Sequence, residues 1–328
     1  MKYAIGTSLI ASSMMLSVSA HANIDDPFEY TSETLSGMTN QSVDASILQT
    51  VDESLPEARN VNADFLNPAY DPYLTLSEDA SVSVTFLDEG AGYRNSLGYF
   101  SFGANTFDGL SKGDIDTDSS GYVSLSELQA VDGVSAGFLF PNASNYGQGG
   151  VLLAGDTVDV AGGSELTAGT SLGFFLNQNA WKGTGVETGD AGGSSYDTQS
   201  FYSLDFLNPE ASATSTMLSD SSDSRHVAML FADSSQEQVI LGFEDLNRVN
   251  QFTNDYNYRS DEDFNDAVFT VSSTPSGAFG GSNIATAPLP PMAQSLIGLA
   301  MFAGLISMAR KKAARQEQQI NDHQLIVA

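Results

Sequence analysis

The sequence predicts an all-β fold, an antiparallel β-sandwich of jelly-roll type, and three observations carry that expectation. Short apolar runs recur from residue 79 onward, and in the first of them Val82, Val84 and Phe86 alternate with Ser81, Ser83 and Thr85, which marks one buried and one solvated face. The segments between runs are rich in Gly, Ser, Asn and Asp, the residues that build turns. No period of about 20 to 50 residues repeats, which argues against a solenoid or propeller.

In chain order, a polar, acidic extension over 23–78 comes first. Within it, Ile47, Leu48, Val51 and Leu55 are spaced for one helix over 45–55, which Pro56 ends. The sandwich is expected over 79–273, with strands following the first run at 97–102, 151–153, 157–160, 171–176, 201–206, 226–231, 238–243 and 267–271. Two connections, 177–200 and 208–225, are long enough to be functional or mobile. The stretch 272–286 is small and polar and reads as a linker.

Residues 116–127, Asp-Thr-Asp-Ser-Ser-Gly-Tyr-Val-Ser-Leu-Ser-Glu, fit the twelve-residue EF-hand calcium loop. Asp116 and Asp118 supply carboxylates at loop positions 1 and 3. Ser120 supplies a hydroxyl at 5, Tyr122 a backbone carbonyl at 7 and Glu127 a bidentate carboxylate at 12. Gly121 stands where the chain must turn sharply, Val123 points its side chain inward, and Ser124 can hold a water. Ser120 is the one departure from the Asp/Asn preference, and a solvated acidic turn is the competing reading. Gly109 and Gly113 weaken the incoming helix, so the expectation is a single calcium-stapled loop inserted over 104–133. Its affinity belongs to the weak extracellular range, on the order of 0.1 to 1 mM.

Residues 1–22 have Lys2, an apolar stretch over 9–18 and Ala20-His21-Ala22, the layout of a secretory signal peptide. An exported chain without cysteine draws its stability from its core and from bound ions. Between Asn23 and Ala287 there are 39 acidic side chains against seven basic ones, within a whole-chain formal charge of −29. Nucleic acid and anionic membrane surfaces are thereby disfavoured as partners, and cations are favoured.

At the other end, Ala287-Pro-Leu-Pro-Pro291 closes the linker of 274–290. An uncharged apolar helix over 291–309 follows, and then a basic tail over 310–328 with Arg310, Lys311, Lys312 and Arg315. The apolar stretch is barely long enough to span a bilayer, and the basic cluster keeps its far side cytoplasmic. This order resembles the PEP-CTERM class of sorting signals in a Pro-Leu-Pro variant, which implies a Gram-negative bacterium and an exosortase-type processing enzyme as partner. In that class the basic cluster closes the chain, whereas here residues 313–328 follow it and Pro291 replaces the usual small residue. An uncleaved anchor in the inner membrane would show the same order.

A second acidic cluster is expected where one strand ends in Gly242-Phe-Glu244-Asp245 and the next opens with Asp261-Glu-Asp263-Phe-Asn265-Asp266. Adjacent strand ends would gather these side chains, and a divalent cation is the simplest way to neutralise close carboxylates. A polar turn, with Asn and Asp satisfying backbone groups, is the alternative. Five motifs occur in order: residues 90–100, 169–176 with Asn179-Ala-Trp181, 226–230, 242–245 and 261–269. Together they resemble the DUF4114 domain of exported bacterial proteins over 81–273. The resemblance implies a β-rich surface module whose hallmark is the stretch carrying Asp261, Asp263, Asn265 and Asp266.

Little points to an enzyme. The exported region has one histidine, His226, and no cysteine, which excludes Cys-His chemistry and multi-imidazole zinc sites. No Gly-x-Ser-x-Gly elbow accompanies His226. The expected function is a calcium-binding cell-surface or extracellular-matrix protein, structural or adhesive, with Ca2+ as its cofactor. The alternative is a calcium-dependent carbohydrate-binding module meeting extracellular polysaccharide, against which stands the single tryptophan, Trp181.

Overall fold

The computed structural model describes residues 30–187, 199–216, 224–248 and 260–288. The expected signal peptide, apolar C-terminal helix and basic tail lie outside the described residues. Among the described residues no helix is long and apolar enough to cross a membrane.

Two sheets make the body of the molecule. The first has seven strands in the order β1 (Thr39–Asn40), β6 (Asp156–Asp159), β3 (Ser81–Asp88), β11 (Ala267–Thr274), β10 (Gln238–Phe243), β9 (Val227–Phe231) and β12 (Ala285–Thr286). Its pairings are antiparallel except for β12 against β9. The second runs β2 (Leu74–Thr75), β7 (Ser171–Asn177), β4 (Ser96–Phe102) and β5 (Ser135–Phe140), with β8 (Ser200–Tyr202) also paired to β7. The chain is therefore mostly β in two sheets, as the alternating apolar runs predict.

Between the sheets, Val84, Phe86, Phe243 and Phe269 of the first pack with Leu97, Phe140, Phe174 and Leu176 of the second. Phe140 and Phe269 stack with ring centroids 5.5 Å apart. Both outer faces are covered as well, which is why β7 and β9 are buried along their whole lengths. On the first sheet, Leu230, Ile240 and Val268 lie under α1 (Ala45–Ser54), which offers Ile47 and Val51 and is followed by Leu55. Each of those three side chains contributes about 1.5–3 kcal/mol on burial. Asp44 caps the helix by accepting from the backbone N–H of Ser46. Residues 30–78 are thus a layer of the domain, more than the polar extension that their composition suggests.

On the second sheet, Phe100, Phe102, Phe138, Phe175 and Tyr202 are covered by Phe107, Ile115, Val123, Leu125 and Leu128 of the loop region. The Tyr202 hydroxyl donates to the Val123 carbonyl at 2.8 Å, and the buried Lys112 ammonium donates to the Asn208 carbonyl at 2.8 Å. The insertion expected over 104–133 is anchored on a sheet face.

The expected pattern of strands and linkers changes at four places. Residues 151–153 form only an isolated bridge, Leu152 against Asn145, and leave Val151 and Leu153 exposed. The run 201–206 stops at Tyr202 because a 3-10 turn, Asp205–Leu207, takes over. Strand β5 was not expected, since Ser135-Ala-Gly137 is small and weakly patterned; Gly137 stands opposite Tyr99. The expected linker instead folds back, burying Ala278, Phe279 and Ile284 and adding β12 to the first sheet.

Candidate metal centre

Strands β10 and β11 are antiparallel neighbours, with Phe243 opposite Ala267. That register puts the residues after β10 beside those before β11. Glu244, Asp261 and Asp263 each offer a carboxylate oxygen, all within 4.8 Å of one another, and Glu244, Asp245 and Asp266 do the same. Glu244 belongs to both groups. It is 0% exposed, Asp245 2% and Asp263 1%, whereas Asp261 is exposed.

Local backbone builds this gathering. Glu262 (φ 64°) and Phe264 (φ 59°) take left-handed conformations that cost a non-glycine residue about 1–2 kcal/mol each. Phe264 is buried among the α1 side chains, which fixes the loop from below. Its carbonyl oxygen would lie 2.2 Å from a Cβ at position 242, so glycine is required there for the loop to reach the strand. The Asp245 N–H donates to Asp266 Oδ2 at 2.8 Å, and the Ala58 N–H donates to Asp263 Oδ2 at 2.8 Å. Asn95 Nδ2 donates to Asp245 Oδ2 at 2.7 Å, while Gln178 Nε2 donates to the Asp245 carbonyl at 2.7 Å.

These donors do not match the charge. Burial, followed by the Asp245 charge, pushes the Glu244 carboxyl up to about 8. Burial raises Asp245 to about 6, with the Asn95 bond opposing and Asp261 adding, and raises Asp263 to about 6 against the opposing Ala58 N–H. Asp266 is pushed well above the usual carboxylate range by burial and by Asp245 and Glu244. Nearby basic groups are engaged elsewhere: Arg225 with Asp205 at 2.9 Å, and Arg248 Nε with Glu262 Oε2 at 3.1 Å. Five carboxylates held together need protons or a cation.

Asn265 is the expected site residue that the structure turns away: its Nδ2 donates to Glu57 Oε2 at 2.7 Å. Two others were missed. Glu89, raised to about 7 by burial against the Asn145 N–H and further by Asp245, has an unpartnered Oε1; Asn95 is the Asp245 donor. Their signal was the Asp88-Glu89-Gly90 sequence closing the first strand pattern, a third strand end at the same edge.

In the EF-like loop the Asp118 carboxyl is shifted the opposite way. It lies between α2 (Lys112–Ile115) and α3 (Leu125–Gln129), and oxygens of Asp116, Asp118 and Glu127 fall within 4.8 Å of one another. The Ser120 N–H donates to Asp118 Oδ1 at 2.8 Å and the Gly121 N–H to Asp116 Oδ2 at 2.9 Å; Gly121 turns at φ 87°. The Ser120 hydroxyl donates to the Tyr122 carbonyl at 3.0 Å, so both expected ligand groups face the same turn. Glu127 accepts from the Thr117 N–H at 2.6 Å and from the Ser124 N–H at 2.9 Å. Backbone donation from Ser120 holds Asp118 below the usual range. This carboxylate stays ionised with or without a cation, unlike Glu244.

Comparison with curated proteins and with solved structures gives no match. A family model does match, over a shorter stretch than the 81–273 expected from the motifs; it leaves out the EF-like loop and Glu89 and includes the whole strand-end cluster. Residues 166–274 match the family described as "Domain of unknown function (DUF4114)", so the chain carries a DUF4114 domain.

Proposed function

We propose that the chain is a calcium-dependent module of the cell surface or extracellular matrix, structural or adhesive in role, in which the strand-end carboxylates and the EF-like loop hold calcium. The observation that carries this reading is Glu244: fully buried, its Oε1 accepting from the Leu246 N–H and its Oε2 without a partner, amid four further carboxylates. A buried carboxylate with a free oxygen in such company is a ligand in need of a hard cation, and oxygen-only donors select calcium or magnesium over softer metals. Calcium tolerates the irregular geometry of a loop set between strands; magnesium demands an octahedron.

The carbohydrate-binding alternative receives less support. Trp181 is 2% exposed within the apolar cluster that also holds Phe206 and Val186, so it offers no stacking face. His226 stacks on Phe201 and bonds the Glu244 carbonyl at 2.9 Å, a structural role that supports the reading as a non-enzyme.

Calorimetric titration of calcium into the protein tests the proposal. Uptake is expected at both sites, and Glu127→Gln is expected to remove the loop component alone. Unchanged uptake in that variant would reduce the loop to a polar turn. The surface location rests on the terminal segments. Intact-mass analysis of protein from cells is expected to show loss of residues 1–22 and of the C-terminal helix; a species still ending at Ala328 in the inner membrane would mean a permanent anchor.

A further inference from the structure

We infer that the strand-end cluster takes two calcium ions side by side, with Glu244 as their bridging ligand. This rests on the proposal that the cluster is a calcium site, and it adds the number of ions and the role of each carboxylate. Two triads can be drawn, Glu244 with Asp261 and Asp263, and Glu244 with Asp245 and Asp266, each compact to within 4.8 Å and sharing only Glu244. Glu244 and Asp245 continue β10, while Asp261, Asp263 and Asp266 come from the segment before β11; among the described residues no group compact to within 4.8 Å joins Asp261 or Asp263 to Asp245 or Asp266. One cation cannot draw on both sets as they stand.

The second observation is Glu244 itself. It is 0% exposed, and its Oε2 has no hydrogen-bond partner. A carboxylate has two oxygens with about four lone-pair sites, enough to serve two cations at once. The charge balance agrees. Five carboxylates carry five negative charges; one divalent ion leaves three uncompensated in a largely buried setting, and two leave one. Arg225 and Arg248 are committed to Asp205 and Glu262. The two positions differ in access, since Asp261 is exposed while Asp245 is buried. The Asp261 side is therefore the entry position and exchanges its ion faster.

The test counts ions on the full chain carrying Glu127→Gln, so that the loop does not contribute. Native mass spectrometry in calcium is expected to show two ions. Adding Asp261→Asn or Asp266→Asn is expected to leave one in each case, and adding Glu244→Gln to lose both. Because a variant can fail to fold, the same question is put to the otherwise unaltered cluster with a mixture of terbium and europium: two adjacent sites give sensitised europium emission, and a single site gives none. One ion, absent energy transfer, and loss of that ion in both Asp variants would overturn the two-ion centre while leaving the cluster a calcium site. No ion at all would overturn the calcium reading of the cluster, and this inference with it.

Discussion

Glu244, with Asp245 and Asp263, sets a pH dependence for the whole fold. Its carboxyl is raised to about 8 and those of Asp245 and Asp263 to about 6, against unfolded values near 4. The native state then binds more protons than the unfolded one across that window, so the stability of chelator-treated protein falls as pH rises from about 4 to about 8. On the proposed reading, calcium displaces those protons and reverses the trend. Chemical denaturation at several pH values is expected to show metal-free protein weaker at pH 8 than at pH 5, and calcium-loaded protein without that loss. Equal metal-free stability at both would mean that the carboxylates are solvated. The residues of this centre were legible because Glu244-Asp245 and Asp261 to Asp266 directly flank two apolar strand patterns. Glu89 and Asn95 were not, because Asp88-Glu89-Gly90 marks only the close of a strand pattern, and it takes the sheet order, with β3 beside β11, to bring that strand end to the centre.

Elements explain why these side chains stay together without a disulfide. The β10–β11 pairing supplies the register, and α1 supplies the floor beneath Phe264. Gly242 links the two, since any side chain there meets the Phe264 carbonyl. Gly242→Ala is expected to cost about 1–3 kcal/mol of stability by overpacking, and to weaken calcium binding at the strand ends while leaving the EF-like loop unaffected. Calorimetry resolves the two components; an equal effect on both would mean general unfolding. Period-2 patterning revealed most strands because their inward residues are large and apolar. It failed at β5, where Ala136 and Gly137 replace large residues, and at 151–153, where Val151 and Leu153 face solvent beside a tight turn. The packing of 30–78 was hidden because its few apolar residues are scattered among acids, and each gains its meaning only against a sheet face.

At the scale of the whole molecule, the two candidate sites lie in different layers. On the proposed reading, an ion in the EF-like loop would staple the insertion that covers the second sheet, and ions at the strand-end centre would tie together neighbouring strand ends of the first. On the proposed reading calcium serves this acidic, cysteine-free chain as a cross-link, because an ion bound only by the native state stabilises it by mass action. At a calcium concentration about 100 times the dissociation constant this amounts to about 2.7 kcal/mol per site. In a domain of this size the melting temperature then rises by about 5 °C or more. Thermal unfolding in chelator, in magnesium and in calcium, each ion at about 100 times the expected calcium dissociation constant, measures it directly: the account predicts a clear upward shift with calcium and a smaller one with magnesium, and a melting temperature identical in all three would contradict it.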